Sequence, residues 1–220
     1  MLLQKVGEKC NISRPIKFKT LMTAGDYGSA INIAKKPVED SAQVIDINDD
    51  NGMLDGLAAM QMFVKIAMTE SEVAKVPFML EASKFEIMLA GLKWCQGKPI
   101  VNSISLKVNK MMFKGHATLL KKHGAGLVVI ALDDKGQAAT KSEKVCIGKH
   151  SYDIFVDEVG FPPEDIVFDP NVMTIGTGME KLTNYGIDFI NAVKTIKEQC
   201  PYVKISGGIS NLSFDFHGVM

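Results

Sequence analysis

Gly97-Lys-Pro-Ile-Val-Asn-Ser-Ile-Ser-Leu-Lys107 carries a short apolar strand signal, Ile100-Val101, that runs into an uncharged amide, Asn102, and a serine-containing continuation. An asparagine at the carboxyl end of a strand offers a heterocycle both a donor and an acceptor without adding charge. In a parallel α/β fold that end of the strand is where ligands bind. The pattern recurs in Val44-Ile45-Asp46-Ile47-Asn48, Phe78-Met79-Leu80-Glu81, Leu127-Val128-Val129-Ile130-Ala131-Leu132-Asp133 and Ile166-Val167-Phe168-Asp169-Pro170-Asn171. Apolar runs that each end in Asp, Asn or Glu predict polar side chains gathered on one rim.

Working outward, strands are expected near 5–7, 43–47, 78–80, 100–104, 126–132, 166–168 and 203–206. Helical stretches at 26–40, 54–68, 85–93, 113–122, 144–159 and 184–199 fill the gaps. That alternation is the signature of βα units around a parallel sheet. Pro37 must end or kink the first of these helices. The Met and Ala stripe of 54–68 reads as core packing, because methionine fills irregular interiors freely. Gly124, Gly160 and Gly186 sit near helix ends, where a left-handed cap is useful. No linker marks a second domain, so 1–220 reads as one unit. Seven strands leave an eight-stranded barrel short of its last strand and helix, with the chain ending at Met220.

The chain has 220 residues, with 25 basic against 25 acidic side chains. Nothing in that balance calls for a nucleic-acid or membrane surface. Cys10, Cys95, Cys146 and Cys200 are scattered with no CxxC pair, which argues for reduced thiols in a cytoplasmic protein. The start, Met1-Leu-Leu-Gln-Lys5, has no long apolar segment of the signal-peptide kind, and no apolar run is long enough to span a bilayer. His116, His123, His150 and His217 show no metal-binding spacing, so no metal site is expected, and no GxSxG nucleophile motif occurs.

Strand-end acids and amides have two readings. They cap the following helix by accepting backbone N–H bonds, or they line a pocket. Several together, with few basic residues, suit a ligand rich in N–H donors, such as a pterin or guanine-like ring. Ser206-Gly-Gly-Ile-Ser-Asn-Leu-Ser-Phe-Asp-Phe-His-Gly218 follows the last strand. Its glycines permit close backbone approach to a ligand or simply a tight turn. It lacks the GxGxxG spacing and the lysine of a phosphate cradle.

These segments together resemble the pterin-binding (methyltetrahydrofolate) domain of cobalamin-dependent methionine synthase. The match is carried by Gly7-Glu-Lys-Cys-Asn11, Asp46-Ile-Asn48 with Gly52-Met-Leu-Asp55, Gly91-Leu-Lys-Trp-Cys-Gln-Gly97 and Ile100-Val-Asn-Ser-Ile-Ser-Leu-Lys107. It continues through Asp133 and Gly136-Gln-Ala138, Gly160-Phe-Pro-Pro163, Phe168-Asp-Pro-Asn171, Thr174-Ile-Gly-Thr-Gly178 and 206–216. The resemblance spans nearly the whole chain. It implies an α/β, TIM-type (β/α)8 barrel of the dihydropteroate-synthase-like kind, incomplete at its C-terminal end. It also implies that the barrel holds 5-methyltetrahydrofolate for methyl transfer to cob(I)alamin in methionine synthesis. Cobalamin and homocysteine would then belong to other domains or partners.

On this resemblance Asn102 is the group that contacts the pterin near N5, and so the expected catalytic residue. Asp169 binds the pyrimidine edge, and Asn211 is the asparagine of the glycine-rich loop. Asn48, Asp133 and Asn171 are further pocket groups, joined by Glu81 and His217 at positions where the chain departs from the family. There the family shows Ile-Asp-Ser-Ser and this chain has Leu80-Glu-Ala-Ser83. The family's Ser-Phe-Arg-Gly is here Asp215-Phe-His-Gly218, which exchanges a permanently charged fork for a titratable ring. Two rivals stand beside the methyl-transfer reading: a folate-binding module whose catalysis has decayed, and a dihydropteroate synthase, although no convincing pyrophosphate-binding loop is seen.

Overall fold

The computed structural model describes residues 4–13, 16–49, 55–172 and 184–208. Two compact units emerge: Met1–Asn102 with Lys122–Gly126, and Ser103–Lys121 with Leu127–Met220.

The first unit opens with β1 (Val6–Asn11), α1 (Ile16–Ala24), α2 (Tyr27–Glu39) and β2 (Val44–Asn48). It continues through α3 (Gly56–Ala67), α4 (Ser71–Ala74), β3 (Phe78–Glu81), α5 (Phe85–Leu92) and the start of β4 (Ile100–Ile104). Asp26 caps α2 by accepting from Ser29 N at 3.0 Å, which satisfies one of the N–H groups a helix start leaves open. Ala30, Ile31, Ala34 and Pro37 then form the buried stripe of that helix. Pro37 lies inside α2, which ends two residues later, so the expected stop comes in the last turn. Its ring packs so closely on β1 that a Cβ at Gly7 would sit 2.4 Å from Pro37 Cβ; only glycine fits there. Phe18 of α1 meets Phe63 of α3 edge to face at 5.3 Å. Burial of such rings contributes about 1.5–3 kcal/mol each.

The second unit holds α6 (Lys110–Lys122), most of β5 (Gly126–Ile130), β6 (Leu132–Asp133), β7 (Gly136–Gln137) and α7 (Lys141–Asp153). A π-helical segment (Ile154–Val159), β8 (Ile166–Asp169), α8 (Tyr185–Gln199) and β9 (Lys204–Ile205) complete it. Thr140 and Glu143 form a reciprocal capping box at the start of α7, the S/T-x-x-E device that fixes a helix N-terminus. Phe113, Phe155 and Phe161 make its aromatic core, with ring centroids 4.6 and 6.2 Å apart in sequence.

The main sheet runs β1-β2-β3-β4-β5-β8-β9, with parallel pairing in each register-matched pair. β2 is buried throughout, as strands covered on both faces are. Three expectations need correction. The run 126–132 is not one strand: it breaks at Ala131, and Leu132–Asp133 pairs antiparallel with Gly136–Gln137, because Gly136 at φ 115° supplies a turn that a continuing strand could not. The helix α1 was not expected. Gly124 and Gly160 adopt φ near 67° and 66°, but Gly186 lies inside the first turn of α8 and caps nothing.

Candidate functional site

Strand register in the first unit sets up a polar row. Asn11 pairs with Asn48, Asn48 with Glu81, and Glu81 with Asn102. Register-matched residues on parallel neighbours point to the same face, so four strands present amide, amide, carboxyl and amide in one line. Asn102 Nδ2 donates to Glu81 Oε2 at 3.4 Å, a long bond. Two residues before Asn48, on the same face of β2, stands Asp46, only 2% exposed. Burial, then the negative charges of Glu81 and Glu8, hold its carboxyl well above the ordinary carboxylate range. A hydrogen bond with Glu81 acts in the same direction, and the Asn102 amide opposes it. Two carboxyls this close do not both ionise readily, which favours the neutral form of Asp46. Asp46 Oδ1 is buried with no hydrogen-bond partner among the described residues. Beside it, burial and the Asp46 charge push the Cys10 thiol up to about 12.

The second unit builds a different arrangement around Asp169, the last residue of β8. Asn171 takes a left-handed φ of 64°, which asparagine tolerates better than most residues. Its N–H donates to Asp169 Oδ1 at 2.8 Å, closing an Asx turn. Burial raises the Asp169 carboxyl to about 6, while the Asn171 N–H and the Lys144 charge pull it back. Lys144 is fully buried and donates to Ala138 O at 3.1 Å, Pro170 O at 2.5 Å and Asn171 O at 3.0 Å. Its ammonium lies 4.0 Å from the centre of the Tyr185 ring, and the Tyr185 hydroxyl donates to Ala138 O at 2.9 Å.

The sequence-expected residues thus fall into separate groups. Asn48, Glu81 and Asn102 share one row in the first unit. Asp169 and Asn171 share one turn in the second. Asp133 stands in the β6–β7 hairpin, where its Oδ1 accepts from Lys135 N at 2.9 Å. Asn211 and His217 lie outside the described residues, as does most of the glycine-rich segment. Asp46, Asn11 and Lys144 were not among the expected site residues. The signal for Asp46 was its period-two relation to Asn48 inside an otherwise apolar run. Lys144 lies on the face of α7 that also buries Ile147, Gly148 and Ser151, but a lysine in so charged a stretch gave no sign of burial in the sequence. Among the described residues no group of three or more His, Cys, Asp or Glu is placed to hold a metal ion, and no helix is long and apolar enough to cross a membrane.

Parallel strands joined by helical crossovers define the class, an α/β protein with its polar groups at the strand ends. The chain belongs to the pterin-binding enzyme family, whose description is "Pterin binding enzyme" and whose match covers residues 7–220. Its fold is shared by solved structures. Yersinia pestis DHPS with a pterine-sulfa conjugate is 13% identical with a TM-score of 0.64, and the alignment covers 97% of this chain and 75% of that one. The 7,8-dihydropteroate synthase from Vibrio fischeri is 11% identical with a TM-score of 0.62, over 97% of this chain and 76% of that one. The likeness shows the fold, the dihydropteroate-synthase-like barrel type.

Proposed function

We propose that this chain binds 5-methyltetrahydrofolate and serves methyl transfer to cob(I)alamin. Family membership supports a pterin or folate-type ligand. The observation that carries the finer reading is the row Asn48, Glu81, Asn102 at the ends of adjacent parallel strands, together with the methionine-synthase-type motifs that run along the chain. Cob(I)alamin, which another domain or partner would hold along with homocysteine, would supply the electron pair that takes up the methyl group.

As the methyl group departs, the bonding pair of the C–N bond remains on N5, and that nitrogen gains a proton from solvent. Asn102 is assigned to N5. With its Nδ2 committed to Glu81, its carbonyl oxygen is the atom turned to the ring, and it accepts from N5–H once the proton arrives. That contact strengthens only as the reaction proceeds, the kind of interaction that accelerates chemistry. The upward shift of Asp46 favours its neutral form, which spares the row a second negative charge. Asp169 is assigned to the pyrimidine edge, where a carboxylate accepts from a ring N–H and the adjacent amino group. Asn48, Asn171, Asp133, Asn211 and His217 complete the proposed set.

Isothermal titration with 5-methyltetrahydrofolate, followed by a spectroscopic assay with cob(I)alamin, tests the reading. Saturable binding and conversion to methylcobalamin are expected. Binding without conversion identifies a folate-binding module that no longer turns over. Consumption of a dihydropterin pyrophosphate would move the chain to dihydropteroate synthesis, and no binding of any pterin removes the proposal.

A further inference from the structure

We infer that Lys144 is the positioning residue for Asp169, locking the turn after β8 and placing a fixed cation behind the carboxylate so that Asp169 meets N–H donors in its accepting form. The inference rests on the assignment of Asp169 to the pyrimidine edge.

The geometry is unusual for a lysine. An ammonium has three donors, and here each has a carbonyl: Ala138, Pro170 and Asn171. Two of these belong to the residues directly after Asp169, and the third lies in the turn leading to α7. The same Ala138 oxygen also takes the Tyr185 hydroxyl, and the Tyr185 ring lies against the ammonium. One side chain therefore stitches the β8 turn, the turn before α7 and the start of α8 together. A neutral hydrogen-bonding residue could satisfy the carbonyls but would not supply the charge.

Titratable groups face this ammonium from three elements: Asp169 of β8, Glu143 of α7, and Asp188 and Tyr185 of α8. The Glu143 carboxylate is already occupied by the N–H groups of Ala139 and Thr140 at 2.8 and 2.9 Å. Burial lowers Lys144 to about 8, and the Asp169 charge acts against that fall. Lys144 in turn acts against the rise of Asp169 to about 6. The coupling is reciprocal, as linkage demands. Between about 6 and about 8 both groups are charged, and that is the window in which the turn is both clamped and able to accept.

The test uses the whole unliganded chain, with carboxyl-carbon NMR of aspartates and nitrogen NMR of lysines followed across pH. In the wild type one lysine, absent from the Lys144→Met spectrum, is expected to titrate near 8. In Lys144→Met the Asp169 midpoint should rise by about one unit or more, the usual effect of losing a close opposite charge. In Asp169→Asn the lysine midpoint should fall. Lys144→Arg should leave the Asp169 midpoint near its wild-type value. An ordinary titration of Lys144 near 10.4, or an Asp169 midpoint indifferent to Lys144→Met, overturns the inference. If Lys144→Met does not fold, the same lysine signal is identified by its shift in Asp169→Asn, and the absence of any shifted lysine near 8 overturns it equally. Pterin titrations form a separate arm. The acid limb of affinity should move upward in Lys144→Met together with the Asp169 midpoint. Coupled titrations in a protein that binds no pterin sustain the role of Lys144 and remove the ligand assignment instead.

Discussion

The two units meet one problem, a carboxyl buried at or near a strand end, and resolve it in opposite ways. In the first, Asp46 lies among other acids and amides, and burial with the Glu81 and Glu8 charges raises its carboxyl well above the ordinary range. In the second, Asp169 is opposed by a buried lysine and a backbone N–H, and its rise stops at about 6. Burial and like charges favour the neutral form of one carboxyl, and a cation partners the other. The first solution yields a row able to donate as well as accept, and the second yields an acceptor that is ionised at neutral pH.

The comparison breaks most visibly at Lys144. Lys144→Met leaves the Pro170 and Asn171 carbonyls without their lysine donor, Ala138 O with the Tyr185 hydroxyl alone, and Asp169 without its cation. Removing one member of a buried charged pair costs roughly 3–5 kcal/mol, so the unfolding free energy from urea melts is expected to fall by that much at pH 7. A loss below about 1 kcal/mol would mean that the turn closes equally well without the lysine. Next in size is Asp169→Ala, expected to weaken pterin binding by about 1.5–3 kcal/mol, the range for hydrogen bonds to a charged group. Asp134→Ala is the control, since Asp134 is exposed. Equal losses in titration calorimetry at the two positions would indicate general destabilisation and not recognition.

Much of this contrast was readable in the sequence, and unevenly so. The strand ends at Asn48, Glu81 and Asp169 follow from short apolar runs closed by a polar residue, because period and length suffice to locate them. The hairpin at 132–137 did not, since its apolar lead-in continues the preceding strand and only the φ of Gly136 separates the two. Asp46 was visible as an acid in an apolar run, but its charge state was hidden, because that is set by its neighbours across the sheet, and those neighbours, Glu81 and Asn102, lie 35 residues or more away in sequence. Lys144 was hidden for the opposite reason. A lysine in a charged helical stretch reads as solvated, and only the three carbonyls converging on it show otherwise. The strand positions are local information; the charge states are tertiary.

A third prediction sharpens the first-unit side. The Asp46 carboxyl is raised above its unfolded value of 3.8. A group of that kind stabilises the fold below the unfolded value, and the contribution is lost as pH rises through the folded value. Asp46→Asn removes that dependence. Relative to wild type, the variant should be more stable at pH 8 by on the order of 1 kcal/mol and close to neutral at pH 4. Urea melts at the two pH values decide the point, and a variant that loses stability more at pH 8 than at pH 4 reverses the assignment of the proton.

The smallest expected effect concerns Glu81, the residue by which this chain departs from the aspartate of the family it resembles. Its Oε2 accepts from Asn102 Nδ2 at 3.4 Å, near the limit of a useful hydrogen bond. Glu81→Asp withdraws the carboxylate by one methylene, and the bond is then out of reach. Because the bond is long, the loss of stability should be less than about 1 kcal/mol, at the low end for a neutral-donor bond. The Asn102 amide loses that partner at the same time, and an Nδ2 hydrogen becomes available to a ring. If the Asn102 carbonyl is the group that meets N5, the freed Nδ2 adds a donor beside it, and affinity for 5-methyltetrahydrofolate should rise by up to about tenfold, or 1.4 kcal/mol. The Asp46 proton has less reason to stay once Glu81 recedes, so the stability gain of Asp46→Asn at pH 8 should shrink in the Glu81→Asp background. That non-additivity is the sharper readout, because two residues in contact couple and two independent ones do not. Additive effects in the double variant, with no change in affinity, would show that Glu81 and Asp46 do not share a proton and that the first unit answers burial by some other means.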